Sequence, residues 1–431
     1  MAAAAAKYLR QSRNRELTEL LTTTWGFLPT VEMTWLNSYN LSMRRLKIMS
    51  RFEPRLQKLR EQMEAKGWAA TFLAPSGDME YLIGVRRQRP NATKSHMHGD
   101  WLYGAILTPT ECVFVAPYLA HHFIEEQAKD KPWITDVIKI DDGDDVAALA
   151  RQLLDKHHLA GQTIGIPREG MASTIYEIQK VAPGTRFEGT WDVVAPMRAI
   201  KDAEEIELMR KAALVTDDIF ADVFKNLKYG MTETDIMIEV EHQMLKHGSE
   251  GSSFVTGIMI KGPGISDALE GVGRAGGVEA QPGRVIAFDF GVVLDGYVND
   301  FGRTVHCGDP DAELRRIHEL VMTAQANGMT AMKAGQITAE GANAAARRVI
   351  EEAGYGPNFF HRLGHGIGID VHEPPFLAKG DQSTLQANMC FTVEPSIWVE
   401  GRCFTRVEDV VVVAAEGAYS LNQTTREILV I

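Results

Sequence analysis

Apolar and polar residues alternate around "FDFGVVLDGYVNDFGRT", residues 288–304. Apolar runs over 285–293 and 297–305 flank Asp295-Gly296, the pattern of two strands joined by a two-residue turn. Folding at that turn brings Asp289 and Asp300 close to opposite each other, and neither strand places a cation beside them. Like charges facing across a strand pair repel, so the pair calls for an explanation. A second hairpin is predicted over 389–413, turning at Glu400-Gly401-Arg402 and carrying Glu394 and Glu408 symmetrically about Gly401.

Upstream, the pattern changes period. "EPRLQKLREQMEAKG" has the apolar spacing of an amphipathic helix ending at Gly67, and "AATFLAP" follows as a strand. A hairpin over "YGAILTPTECVFVAP", a helix over "DDVAALARQLLDKHHLAG" and a buried strand at "TIGIP" continue the alternation, predicting an α/β domain to about residue 190. "WDVVAPMRAIKDAEEIELMRKAA" reads as a strand running into a long helix, with Asp202 and Glu205 as a capping box and the domain boundary near Pro196.

Beyond that boundary the chain repeats itself. Helix starts at Asp202 and Thr232 precede the first acidic hairpin; starts at Asp311 and Thr338 precede the second. The pairs Asp202/Asp311, Thr232/Thr338, Asp289/Glu394 and Asp300/Glu408 are separated by between 105 and 109 residues. Two helix-helix-hairpin units imply a duplicated α+β domain with pseudo-two-fold symmetry, its hairpins meeting in one sheet. The expected division is 1–48 as a non-core extension, 49–195 as the α/β domain and 196–431 as the α+β domain.

Composition narrows the function. The 431 residues are 45% hydrophobic and 24% charged, ordinary for a globular chain, and the net charge of −12 argues against nucleic acid. No stretch approaches the roughly 20 apolar residues of a membrane span. The cysteines Cys112, Cys307, Cys390 and Cys403 show no CxxC or disulfide-framework spacing, which fits a reducing cytoplasm. Residues 1–48 carry an alanine run and scattered arginines without an apolar core and cleavage site. They are expected to be an extension upstream of a start near Met43 or Met49, with a transit peptide as the alternative.

Four carboxylates clustered in a cavity cannot all stay ionised without a cation, since each raises the pKa of the others. "FFHRLGHGIGIDVHEPP", residues 359–375, adds His361, His365 and His372 in a Gly-rich segment. Four oxygen ligands and one imidazole suit two divalent ions, for which Mn, Co, Zn and Fe are all chemically suitable; a pair about 4 Å apart activates a bridging water. Other features read plainly. The basic loop 86–101 with His96 and His98 is either solvated or substrate-facing; "GPGISDALEGVGRAGG" lacks the ending of a phosphate loop. His121, His122, His157 and His158 are expected on helix surfaces, and Cys307 and Cys390 in the core.

These residues resemble a known family, the pita-bread metallopeptidases: prolidase, aminopeptidase P, methionine aminopeptidase and the non-peptidase creatinase. "DFGVVLDGYVND", "HRLGHGIGIDVHE", "TVEPSIW" and "RVEDVVVV" match its motifs, and the resemblance covers roughly residues 50–431, with a creatinase/prolidase-type N-terminal domain. It implies one metal on Asp289, Asp300 and Glu408 and a second on Asp300, His365, Glu394 and Glu408, manganese being the leading choice. Glu394 would also act as general base toward a metal-bridging hydroxide, and His372 would hydrogen-bond the scissile carbonyl oxygen. His361 and Arg406 would line the pocket and assist proton movement or orientation. The implied activity is Xaa-Pro dipeptidase or aminopeptidase P-like hydrolysis of a small peptide by a homodimer. A creatinase-like reaction on a C–N bond of a small molecule is the alternative, and a metal-free binding protein a third. Two departures stand out. The family's histidine before the first metal strand is replaced among Leu269, Glu270, Gly271 and Val272, and Ser396 stands where a glycine usually follows the Glu-Pro pair.

Overall fold

Residues 51–87, 96–265 and 275–431 are described in the computed structural model. They fall in two units, Met1–Pro54 and Arg55–Ile431. Of the first, only residues 51–54 are described, and they are helical; the expected extension 1–48 lies outside the described residues.

The second unit begins with a helix through residue 66 that buries Leu56, Leu59 and Met63, one stripe at helical spacing. Gly67 ends it with φ +67, a left-handed stop that favours glycine. A six-stranded mixed sheet follows, in the order Asp136–Ile140, Cys112–Pro117, Gly104–Leu107, Ala70–Leu73, Thr163–Ile166, Arg186–Gly189. Its core contains Phe72, Val115 and Ile164, packed with Leu153, Leu154 and Ile178 from the covering helices. The predicted strand at "WDVV" is instead the start of a helix, Trp191–Ala199, with Pro196 inside it. Val193, Val194 and Met197 are the buried positions, a 3.6-residue period that a β-branched pair disguises as strand.

The remaining chain carries the repeat. Helices Ala203–Asn226 and Glu233–Lys246 start at capping boxes, Asp202 with Glu205 and Thr232 with Asp235. Helices Ala312–Ala331 and Ala339–Glu352 are capped by Asp311 and Thr338. In the first hairpin Asp289 pairs with Gly302, so Asp300 stands one diagonal step away on the same face. Asp295 and Gly296 both have positive φ, +49 and +85, the conformation of a tight primed turn. In the second, the register runs from Val393↔Asp409 to Ser396↔Arg406, which sets Glu394 opposite Glu408.

The hairpins do not share one sheet as expected. The first belongs to a four-stranded sheet and the second to a five-stranded one, each hairpin with a separate two-stranded tip; among the described residues the two sheets are bridged at Gly302↔Glu408. A Cβ on Gly302 would lie 2.9 Å from both Arg406 Cδ and Glu408 Oε2, so glycine is what lets the hairpins touch. Each has its own apolar backing. Phe220, Ile236, Phe288 and Phe301 pack behind the first; Val321, Ala346, Phe391 and Val411 pack behind the second. The acids project from two rigid sheets at their point of contact.

Candidate metal centre

Asp289, Asp300 and Glu408 offer carboxylate oxygens that all lie within 4.8 Å of one another, and all three side chains are buried. Glu394 and His365 complete the group: His365 Nε2 is 3.6 Å from Asp300 Oδ2 and 3.5 Å from Glu394 Oε1. The strand Val285–Phe290 carries Asp289, and Asp300 immediately precedes Phe301–His306. His365 sits on Gly364–Gly366, Glu394 just follows Cys390–Val393, and Glu408 just precedes Asp409–Ala414. The five residues expected from the sequence come together in the fold.

Their chemistry suits a cation. Burial pushes the His365 pKa down to about 4, so the ring is neutral near pH 7. Its Nδ1 faces Gly366 O at 3.0 Å and must donate there, leaving the Nε2 lone pair aimed at two carboxylates. Electron pair against anion is repulsive unless a positive ion or a proton lies between. Burial, then Asp300 and Glu394, push the Glu408 carboxyl well above its ordinary range, and its Oε2 accepts no hydrogen bond. An orphaned buried carboxylate oxygen beside three other acids fits divalent metal. Asp289, Asp300 and Glu408 could hold one ion, and Asp300, His365, Glu394 and Glu408 a second.

Arg406, from the second hairpin, supplies the cation that the first hairpin lacks. Its NH1 bonds Asp289 Oδ2, and its guanidinium lies 3.7 Å from Glu394 Oε2 and from Glu408 Oε2. One guanidinium cannot balance four carboxylates, and the excess of acid adds to burial in pushing the Glu408 carboxyl up. Glu408→Gln should therefore raise the melting temperature of the metal-free protein, by about 1–2 °C if about 1 kcal/mol of repulsion is relieved. An unchanged or lower value in a calorimetric scan would show that the buried acids do not oppose folding.

The remaining histidines occupy the rim. The His372 ring centroid is 4.1 Å from that of His365. His372 is open to solvent on one side; desolvation of the rest of the ring, then His365 and Arg362, hold its pKa down to about 4. Burial, then Arg406, likewise take His361 down to about 4. His361 Nδ1 donates to Arg362 O at 2.7 Å, so Nε2 is the acceptor, and Ser396 Oγ donates to it. The serine that departs from the family pattern thus fixes the His361 ring. The His361–Ser396 pair joins residues 35 apart in the chain and has no local signal in the sequence.

Away from the centre, Cys307 and Cys390 are buried, with burial pushing their thiols up to about 11 and about 12. His122 is exposed on the helix Tyr118–Ala128 and His121 is half-buried there, whereas His157 and His158 lie just beyond the end of Val146–Lys156. His157 Nδ1 is 3.0 Å from Glu111 Oε2. Within the basic loop, residues 88–95 lie outside the described residues; His96 faces Asp100, and His98 bonds Asp144 O. Leu269, Glu270, Gly271 and Val272 also lie outside them.

Comparison with known proteins agrees with this geometry. The sequence model described as "Metallopeptidase family M24" matches residues 207–415, and that of the "Creatinase/Prolidase N-terminal domain" matches 55–200. The chain is 33% identical to the Xaa-Pro dipeptidase of Lactobacillus delbrueckii subsp. lactis over 77% of this chain and 92% of that one. Among solved structures, the prolidase of Thermococcus sibiricus superposes with TM-score 0.78 at 26% identity, covering 88% of this chain and 99% of its own. The dipeptidase of Pyrococcus horikoshii OT3 gives 0.76 at 27% identity, covering 88% and 100%.

Proposed function

The chain belongs to metallopeptidase family M24, and from that premise we propose that it hydrolyses Xaa-Pro bonds of small peptides at a dinuclear centre on Asp289, Asp300, His365, Glu394 and Glu408. The observation that carries the reading is the His365 lone pair and four acids converging on one point between two sheets. Divalent ions bound there, manganese by preference, would polarise the scissile carbonyl and acidify a water molecule. Glu394 takes the proton of the attacking water. His372, neutral and exposed at the rim, donates a hydrogen bond to the carbonyl oxygen as negative charge develops on it. Arg406 orients Asp289 and Glu394, and Ser396 holds His361 with its free nitrogen occupied. The creatinase-like reaction has no comparable support, since the similar proteins are dipeptidases and a prolidase by name.

We take 49–195 as the N-terminal domain and 196–431 as the catalytic one. Four buried free cysteines suit the cytoplasm, and no helix among the described residues is long and apolar enough to cross a membrane. A homodimer is proposed, with the exposed Leu119 and Phe123, four residues apart on one helix, as a surface suited to it.

A panel of Xaa-Pro dipeptides, longer Xaa-Pro peptides and small amidines and lactams, each with Mn, Co and Zn, tests the substrate. The expected result is cleavage of Xaa-Pro substrates, with the dipeptides slowed by the missing histidine. Loss of general-acid help costs about 10²–10⁴-fold. Histidine introduced singly at Leu269, Glu270, Gly271 or Val272 should recover dipeptidase activity in at least one variant. No cleavage across the peptides despite bound metal would overturn the reading.

A further inference from the structure

The turn that carries His372 is gripped from behind by a partly buried ionic cluster that the reaction does not use. Glu373 Oε1 accepts hydrogen bonds from the amides of Ile369 and Asp370, each at 3.0 Å, and closes the turn on which His372 stands. Arg198 then spans three carboxylates. Its NH1 donates to Asp78 Oδ1 at 2.8 Å, and its NH2 to Asp370 Oδ2 at 2.6 Å and to Glu373 Oε1. Lys201 Nζ lies 3.4 Å from Glu373 Oε2, and Arg87 bonds Asp370 Oδ1 while lying 3.0 Å from Glu80 Oε1. From the far side, Val298 N donates to Gly368 O at 2.9 Å, tying the turn to the first acidic hairpin.

The cluster is tightly built. A Cβ on Gly77 would fall 2.1 Å from Asp370 Oδ2 and 2.8 Å from Arg198 NH1, so the helix Gly77–Ile83 presses on the Asp370–Arg198 contact. Burial works to raise the Asp370 pKa, but Arg198 and Arg87 overcome it and hold the group at about 2. Buried ion networks are a poor source of stability, because desolvation offsets most of the attraction. Their fixed directions supply geometry instead.

We propose that Arg198, acting through Asp370 and Glu373, is a positioning residue that sets His372 against the carboxylate cluster and couples the Gly77–Ile83 helix to turnover. The proposal rests on the reading of His372 as the group facing the scissile carbonyl.

The test uses the full chain, metal-loaded for kinetics and both loaded and metal-free for amide exchange. Arg198→Met and Gly77→Ala should each lower kcat on the order of 10- to 100-fold, the cost of a misplacement near 1 Å, with KM and metal content unchanged. Combined with His372→Ala, Arg198→Met should add no further loss. Exchange at the Ile369 and Asp370 amides should quicken about tenfold or more in both variants. Unchanged amide protection, or a loss in Arg198→Met that multiplies fully with that of His372→Ala, overturns the proposal. If Arg198→Met does not fold, Gly77→Ala decides alone, since it removes no charge. Wild-type kcat in His372→Ala would overturn the role of His372 itself, and the exchange result separates that failure from failure of the Arg198 role.

Discussion

Glu394→Gln should lower kcat by about 10²–10⁴-fold, the usual contribution of a positioned general base, while the melting temperature of the protein stays near that of the wild type. The two side chains have the same shape, and the amide oxygen can still accept from Thr392 Oγ1, which lies 3.3 Å from Glu394 Oε1. Position 394 also keeps its backbone bond to Leu363 O. What the amide cannot do is take a proton from the attacking water. Steady-state kinetics with metal-loaded protein measures the effect, and metal content determined alongside separates lost base from lost ligand. Wild-type kcat in this variant would place the proton transfer elsewhere.

Much of this centre is legible in the amino-acid sequence, because its signals are local. Asp295-Gly296 specifies a tight turn, and the turn fixes the register that puts Asp289 and Asp300 on one face. Asp202, Thr232, Asp311 and Thr338 announce four helix starts, and their spacing exposes the duplication that pairs one hairpin with the other. What stays hidden depends on tertiary neighbours. Strand periodicity says which face is apolar and not which strands share a sheet, so two sheets joined at Gly302 read as one. Val193 and Val194 look like strand residues until the helix Trp191–Ala199 buries them beside Met197. Arg406 contacts Asp289 across 117 residues, and Arg198 reaches Glu373 across 175, with no spacing rule to connect them. Polar networks of this kind are specified by the completed fold.

Removal of Asp300 and Glu408 together should empty the centre. Both belong to each of the two proposed ligand sets, so neither ion would keep a complete set without them. Asp300→Ala alone should cost at least one ion, and Glu408→Ala the same. With both gone, Asp289 remains bonded to Arg406, and His365 and Glu394 are left as a two-ligand remnant. Two ligands from such a remnant cannot rebuild the coordination that divalent transition metals favour. Loss of hydrolysis should follow, but activity is the less direct readout, since misfolding would abolish it too. The decisive measurement is metal per chain, by elemental analysis after manganese loading and desalting, on wild type and on the Asp300→Ala, Glu408→Ala double variant with folding verified by circular dichroism. Close to two ions are expected in the wild type and none in the double variant; stoichiometric metal retained by a folded double variant would overturn the dinuclear centre.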